Sequence, residues 1–304
     1  MSLEPHADRA EPAAGADAAT PAVRACLAEL TANASIEIAP RERAEIGAVA
    51  EALPVNTCFY VPAPAARPLA ETLEAIGAVR RAGLDPVPHV AARRFASRRE
   101  LEVFLAVAVG TPGVHRVLLI AGDEAQPRGP YADAEQPLRE GVLAAAGIRE
   151  IGVSAYPEGH PRIPAAALER AFDAKLALAA AQGIGVYVVT QFSFAPTRIL
   201  ALCAALARRA PGVPVYVGMA GPTDPLALMR YAQRCGVSDS LRALRSLGLK
   251  AVDLAMHTDP QEQLLALAHW CAARDESNVV GIHLYGFGGA ARSAHWLRDR
   301  LHPA

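Results

Sequence analysis

From Ser35 onward, short β-branched or apolar runs alternate with alanine- and leucine-rich amphipathic stretches, the pattern left by parallel strands with crossover helices. Eight such runs are present: Ser35 to Ile38, Val55 to Tyr60, Pro86 to Val90, Arg116 to Ala121, Ile151 to Ala155, Val186 to Thr190, Val213 to Gly218, and Val279 to Tyr285. The intervening stretches predict helices at Pro68 to Ala82, Ser97 to Val109, Pro137 to Ala146 and Pro164 to Gln182. Eight repeats in strict alternation favour a closed (β/α)8 barrel, because closure hides both edge strands within one domain. The rival doubly wound open sheet lacks its marks: no GxGxxG turn follows an early strand, and no GxxxxGK[ST] loop occurs. One irregularity stands out. Asp224 to Asp275 holds no convincing strand and predicts extra helices before the last strand, at Pro225 to Cys235, Ser238 to Leu247 and Pro260 to Arg274.

A chain of 304 residues, 52% of them hydrophobic, can bury the core such a barrel needs. Its 30 basic and 31 acidic residues are scattered and leave a net charge of -1, which supplies no positive face for nucleic acid or an anionic membrane. Cys26, Cys58, Cys203, Cys235 and Cys271 form no CxxC pair, and their apolar settings predict free thiols in a reducing cytoplasm. Residues 1–22 mix Ala and Pro with charges and are expected to form a disordered leader, leaving 23–304 as one catalytic domain. No apolar stretch reaches bilayer length, so no transmembrane segment is expected. The helix faces around Leu200 to Leu206 and Leu264 to Trp270 are apolar enough for a subunit contact in a homo-oligomer or for ordinary core packing.

Barrel enzymes work at the carboxyl ends of their strands, and polar residues stand at most of these exits: Glu37, Tyr60, His89, Asp123, Tyr156 with His160, Gln191, and His283 with Tyr285. Alternation in SIEIAP turns Ser35 and Glu37 to one side and the isoleucines to the other. Glu37 therefore reads as a general acid with a pKa raised by partial burial, or as half of an ion pair with an arginine such as Arg93. Asp123 follows a glycine at the end of an apolar strand, where it can meet a ligand or cap its own turn. SAYPEGHP fixes Tyr156 and His160 between prolines, and the Gln191 amide can donate and accept side by side along a heterocyclic edge. No HExxH or other close histidine pair indicates zinc, and GxSxG is missing. Arg93, Arg94, Arg98 and Arg99 read as a solvated helix start that could also bind an anionic tail.

In order and spacing, SIEIAP, PHVAAR, AGDEAQP, SAYPEGHP, VVTQFSF and VVGIHLYGF resemble the landmark segments of the flavin-dependent methylenetetrahydrofolate reductases of the bacterial single-domain type. The resemblance runs over nearly the whole chain from Ser35, and YPEGHP followed by TQF is its most specific part. It implies a barrel that binds FAD at the strand ends and interconverts 5,10-methylenetetrahydrofolate and 5-methyltetrahydrofolate, with NADH or NADPH as electron donor. By the same resemblance Glu37 and Asp123 are catalytic and, with Gln191, contact the folate. Tyr60, His89, Gly122, Asp123, Tyr131, Ala132, Tyr156, His160 and Lys175 then contact the flavin.

The sequence also departs from that family. Ala121 stands where the family often has an arginine before its GD, Tyr60 replaces a common threonine, and Asp173 and Lys175 align only after a small shift. These departures keep two alternatives open: a reductase of the same fold that uses a nicotinamide directly without flavin, and a catalytically silent subunit that binds folate or flavin beside an active enzyme.

Overall fold

The computed structural model describes residues 20–110, 113–235, 237, 260–274 and 276–301. Eight parallel strands close into a barrel in sequence order: β1 (Ser35–Glu37), β2 (Cys58–Val61), β3 (Asp85–Ala91), β4 (Arg116–Ile120), β5 (Glu150–Ala155), β6 (Gly185–Thr190), β7 (Val215–Ala220) and β8 (Val279–Tyr285). The ring closes where β1 pairs with β8, Ser35 opposite His283. No helix among the described residues is long and apolar enough to cross a membrane.

Around the strands lie α1 (Pro21–Ala32), α2 (Ile46–Ala52), α3 (Leu69–Arg81), α4 (Arg98–Gly110), α5 (Glu135–Arg139), α6 (Val142–Ala145), α7 (Ala165–Ala181), α8 (Pro196–Arg209), α9 (Pro225–Arg234), α10 (Gln261–Ala272) and α11 (Ala290–Leu301). Both α9 and α10 precede β8, so two of the expected extra helices are present, while the stretch expected to be helical at Ser238 to Leu247 lies outside the described residues. The leader expectation is corrected at its end. The Thr20 side chain accepts a hydrogen bond from Val23 N at 3.3 Å and Pro21 sets the first turn, so the helix begins at Pro21 rather than after residue 22. Residues 1–19 lie outside the described residues. The faces of α8 and α10 are core, not surface: Cys203, Leu206, Leu264, Leu267 and Trp270 are all buried in the shell between helices and sheet.

Inside the barrel, alternate strand residues point inward, and Tyr60, Val87, Leu118, Tyr187 and Val189 form their own cluster. Two glycines make room for the tyrosines. A Cβ on Gly152 would stand 2.7 Å from the Tyr187 ring, and one on Gly218 would stand 2.8 Å from the Tyr285 ring. The Tyr60 hydroxyl donates to that of Tyr187 at 3.2 Å across the axis. Below them charges plug the amino-terminal end: Arg116 pairs with Glu150 at 2.6 Å and lies 5.5 Å from the centre of the Tyr187 ring, and Arg80 pairs with Asp85. This plug leaves the carboxyl-terminal mouth as the open end.

Candidate active site

At the mouth, β1, β3 and β8 bring Glu37, His89, His283 and Tyr285 together above the Tyr60 ring. Glu37 Oε2 lies 3.9 Å from His89 Nε2, and the Glu37 side chain is only 17% exposed. The His283 ring stands edge-on to Tyr60 at 4.5 Å and to Tyr285 at 4.6 Å, while the Tyr60 and His89 rings are 6.0 Å apart. Ser35 Oγ and His283 Nδ1 share a hydrogen bond at 2.8 Å, which orients the ring. Nε2 of His283 and Nε2 of His89 are both buried and meet no hydrogen-bonding partner among the described residues, so the chamber presents polar atoms suited to a ligand.

Burial raises the Glu37 carboxyl to about 7, helped by the nearby Glu42 carboxylate. Burial lowers His89 to about 3, and burial with His89 as neighbour lowers His283 to about 3. A carboxylic acid that holds its proton near neutrality thus stands beside two neutral imidazoles, the condition for a general acid at physiological pH. Its partner is His89, not Arg93. The Arg93 guanidinium instead donates to the carbonyls of Ala132 at 2.7 Å and Glu124 at 3.1 Å.

Arg94, 1% exposed, does not belong to a solvated helix start either. It donates to the carbonyls of Pro64 and Arg67, and its Nε lies 3.9 Å from Glu124 Oε1. The two arginines of the turn after β3 therefore clamp the β2 loop on one side and the β4 loop on the other. Arg98 and Arg99 do face solvent and pair with Glu102.

A cavity of about 660 Å3 opens beside the mouth at the exits of β4 and β5, under α7 and α8. Ile120, Ala121, Ser154 and Tyr156 line it from the strands, and Leu168, Phe172, Lys175 and Leu206 from the helices. Burial lowers the Lys175 ammonium below its usual value against the pull of Glu135 and Asp133. A slot with apolar walls, one desolvated cation and the Asp133 and Glu135 carboxylates in its lining suits a flat heteroaromatic ligand with polar substituents.

The residues expected at the site fall into three places. Glu37, His89 and Tyr60 meet in the chamber, Tyr60 as its fully buried floor. Gln191 follows β6 at the rim, half-buried, with its side-chain oxygen accepting from Phe192 N at 3.1 Å. Tyr156 and Lys175 line the cavity, and the Tyr156 ring meets His160 edge-on at 5.1 Å.

Others sit elsewhere. Gly122 takes a φ of +97°, and a Cβ there would stand 2.9 Å from Glu124 Oε2. Asp123, expected as a catalytic group, is exposed on the loop after β4, because the chain turns at Gly122 and carries Glu124 inward instead. Tyr131 is fully buried and donates its hydroxyl to Glu140 at 3.1 Å, so it faces the helical shell and not the mouth; Ala132 is exposed and contributes its carbonyl to Arg93. Asp173 is held outside by Arg209. Sequence reasoning placed His283 at a strand end without assigning it a role, and missed Glu124. An inward-turned histidine two residues before Tyr285 was visible in the alternation, whereas nothing in AGDEAQP tells which acid turns in.

Among the described residues no group of three or more His, Cys, Asp or Glu is placed to hold a metal ion. No family model matches the chain. Similar solved structures include a chain described as a phosphonomutase from Burkholderia cenocepacia J2315, at TM-score 0.49 and 14% identity over 88% of this chain and 93% of that one. Dihydropteroate synthase from Thermus thermophilus, solved with 6HMPPP, has a TM-score of 0.48 and 16% identity over 88% and 92%. Tryptophan synthase from M. tuberculosis, in its aminoacrylate-bound form, has 0.46 and 12% over 93% and 100%.

Proposed function

We propose that this chain is a cytoplasmic flavoprotein oxidoreductase that interconverts 5,10-methylenetetrahydrofolate and 5-methyltetrahydrofolate. The observation that carries the reading is Glu37, a buried carboxyl titrating at about 7 at the barrel mouth. Opening the methylene bridge to an iminium requires a proton on the departing nitrogen, and a carboxylic acid still protonated near neutrality supplies it. Gln191 at the β6 exit offers an amide that pairs with the donor and acceptor edge of a pterin. The neutral imidazoles of His89 and His283 add polar contacts without placing a positive charge beside an iminium cation. Reduced FAD, when bound, would supply the hydride that turns the iminium carbon into a methyl group, and a nicotinamide would restore its two electrons.

The cavity fits part of such a cofactor. Its mostly apolar walls suit a ring system, and the Lys175 ammonium, with the Asp133 and Glu135 carboxylates in the same lining, suits a ribityl oxygen. Purified protein is expected to take up FAD, seen as flavin absorption retained after gel filtration, and Lys175→Ala is expected to weaken that uptake on the order of tenfold. A protein that stays colourless through an FAD titration would contradict the cofactor assignment.

A second reading rests on Ala121. The arginine that commonly precedes GD in the family is missing, and Arg93 does not replace it, because carbonyls of the β4 loop occupy its guanidinium. A flavin-free reductase that takes hydride from a nicotinamide at the same chamber would leave turnover intact in the colourless protein.

A further inference from the structure

Beyond the acid and the cavity, the exits of β5 and β6 are joined in a way their strand pairing does not require. The last backbone bond between the two exits among the described residues runs from Gln191 N to Ala155 O, at 2.7 Å. Past that point a side chain takes over. Ser193 Oγ, in the loop after β6, donates to Glu158 Oε1, in the loop after β5, at 2.6 Å, a length suited to a hydroxyl bound to a carboxylate.

The turn that carries Glu158 does not need this bond. It is closed by its own backbone, with Gly159 N donating to Tyr156 O at 3.1 Å and Gly159 at a φ of +75°. What the bond adds is a fixed place for Ser193, which is 1% exposed. The Ser193 hydroxyl also accepts from Ala195 N at 3.1 Å, and its carbonyl accepts from Gln263 Nε2 of α10 at 3.0 Å. Gln191 inherits this anchoring. Its side-chain oxygen accepts from Phe192 N, so the direction of the amide follows the backbone one residue before Ser193. The Phe192 ring is in turn buried against Phe194 at 5.7 Å and Phe287 at 5.1 Å, which leaves the segment little room to turn.

We propose that Glu158 is a positioning residue for the substrate: through Ser193 it fixes the β6 exit, so that the Gln191 amide meets the pterin edge in register with the Tyr156 and His160 turn beside it. This rests on the folate reading, which gives Gln191 to the pterin and assigns no ligand contact to Glu158 or Ser193. The tie acts on alignment, and proton transfer stays with Glu37. Alignment is sensitive to small losses, since a displacement of about 1 Å is enough to forfeit a paired hydrogen bond.

The test measures KM and kcat for oxidation of 5-methyltetrahydrofolate with an electron-accepting dye, and FAD affinity by absorbance titration, in the unaltered protein and in S193A, E158A, E158Q and E158A/S193A. S193A and E158A are each expected to raise KM for the folate on the order of tenfold, with kcat and FAD affinity within about threefold of the unaltered protein. The double variant should be no worse than E158A, because both changes break one bond, whereas independent effects would multiply to roughly a hundredfold. E158Q, whose amide oxygen still accepts from Ser193, should keep KM near that of the unaltered protein. If E158A does not fold, S193A set against E158Q decides. An unchanged KM in S193A, multiplied losses in the double variant, or a parallel loss of FAD affinity would overturn the inference and leave the folate reading standing. An unaltered protein that neither binds nor oxidises the folate would remove the folate reading, and this inference with it.

Discussion

Glu37→Gln is expected to lower folate turnover on the order of a hundredfold or more, the usual size of a general-acid effect, while folding normally. The amide keeps the shape and hydrogen-bonding reach of the side chain and removes only the transferable proton. Reduction in the unaltered protein should itself fall as pH rises through about 7, because the acid form of Glu37 is then lost. The same substitution should change stability in the opposite sense. Glu37 is raised from 4.5 to about 7 on folding, so the folded protein binds this proton more tightly than the unfolded chain does. The ionised side chain thus costs stability that grows from about pH 4.5 and levels off above about 7, on the order of 3 kcal/mol in all. At pH 8 the glutamine variant should therefore be the more stable protein in urea, and at pH 4.5 the two should converge. His89, lowered by burial, destabilises the fold as pH drops below its unfolded value near 6.5, and it does so equally in both proteins. A variant with full turnover would remove Glu37 as the acid. A variant no more stable at pH 8 would mean that the carboxylate is solvated rather than buried.

Arg94→Ala should be the most destabilising single change at the mouth, by about 3–5 kcal/mol, as expected when one partner of a buried charge pair is removed. The deletion strands the inward-turned Glu124 carboxylate, whose two oxygens are buried and accept no hydrogen bond from a described residue, and it releases the carbonyls of Pro64 and Arg67. The β2 loop then loses its tie to β3, while Arg93 still holds the carbonyls of the β4 loop. Arg94→Ala combined with Glu124→Gln should recover part of the loss, since the second change removes the stranded charge. Urea unfolding midpoints of the three proteins decide the point. A loss within about 1 kcal/mol of zero for Arg94→Ala would show that the clamp carries little.

The architecture was legible because strand and helix periods differ and the barrel repeats them eight times. Boundaries failed where local geometry intervened. The second strand was expected from Val55, yet pairing starts at Cys58, because Asn56 adopts a φ of +64° in a turn and its N–H is taken by the Gly83 carbonyl. The helix expected from Pro137 to Ala146 breaks into α5 and α6 at Gly141, whose φ of +68° no continuous helix contains.

At the site, Glu37 was legible from alternation alone, since a carboxylate on the inward side of a barrel strand has few reasons to be there. Arg94 was not, because its partners are carbonyls 27 and 30 residues away and no local pattern encodes them. Asp123 and Glu124 could not be told apart for a similar reason. The left-handed turn at Gly122 decides which of two adjacent acids points inward, and backbone sign is invisible in a GDE triplet.

The central claim is that a flavin and a folate meet above Glu37. It is tested most directly by the visible spectrum of the FAD-loaded protein recorded without oxygen, before and after adding 5-methyltetrahydrofolate. The account predicts that the flavin bands bleach as electrons pass from the folate to the cofactor. Bands that persist unchanged with saturating folate would contradict it.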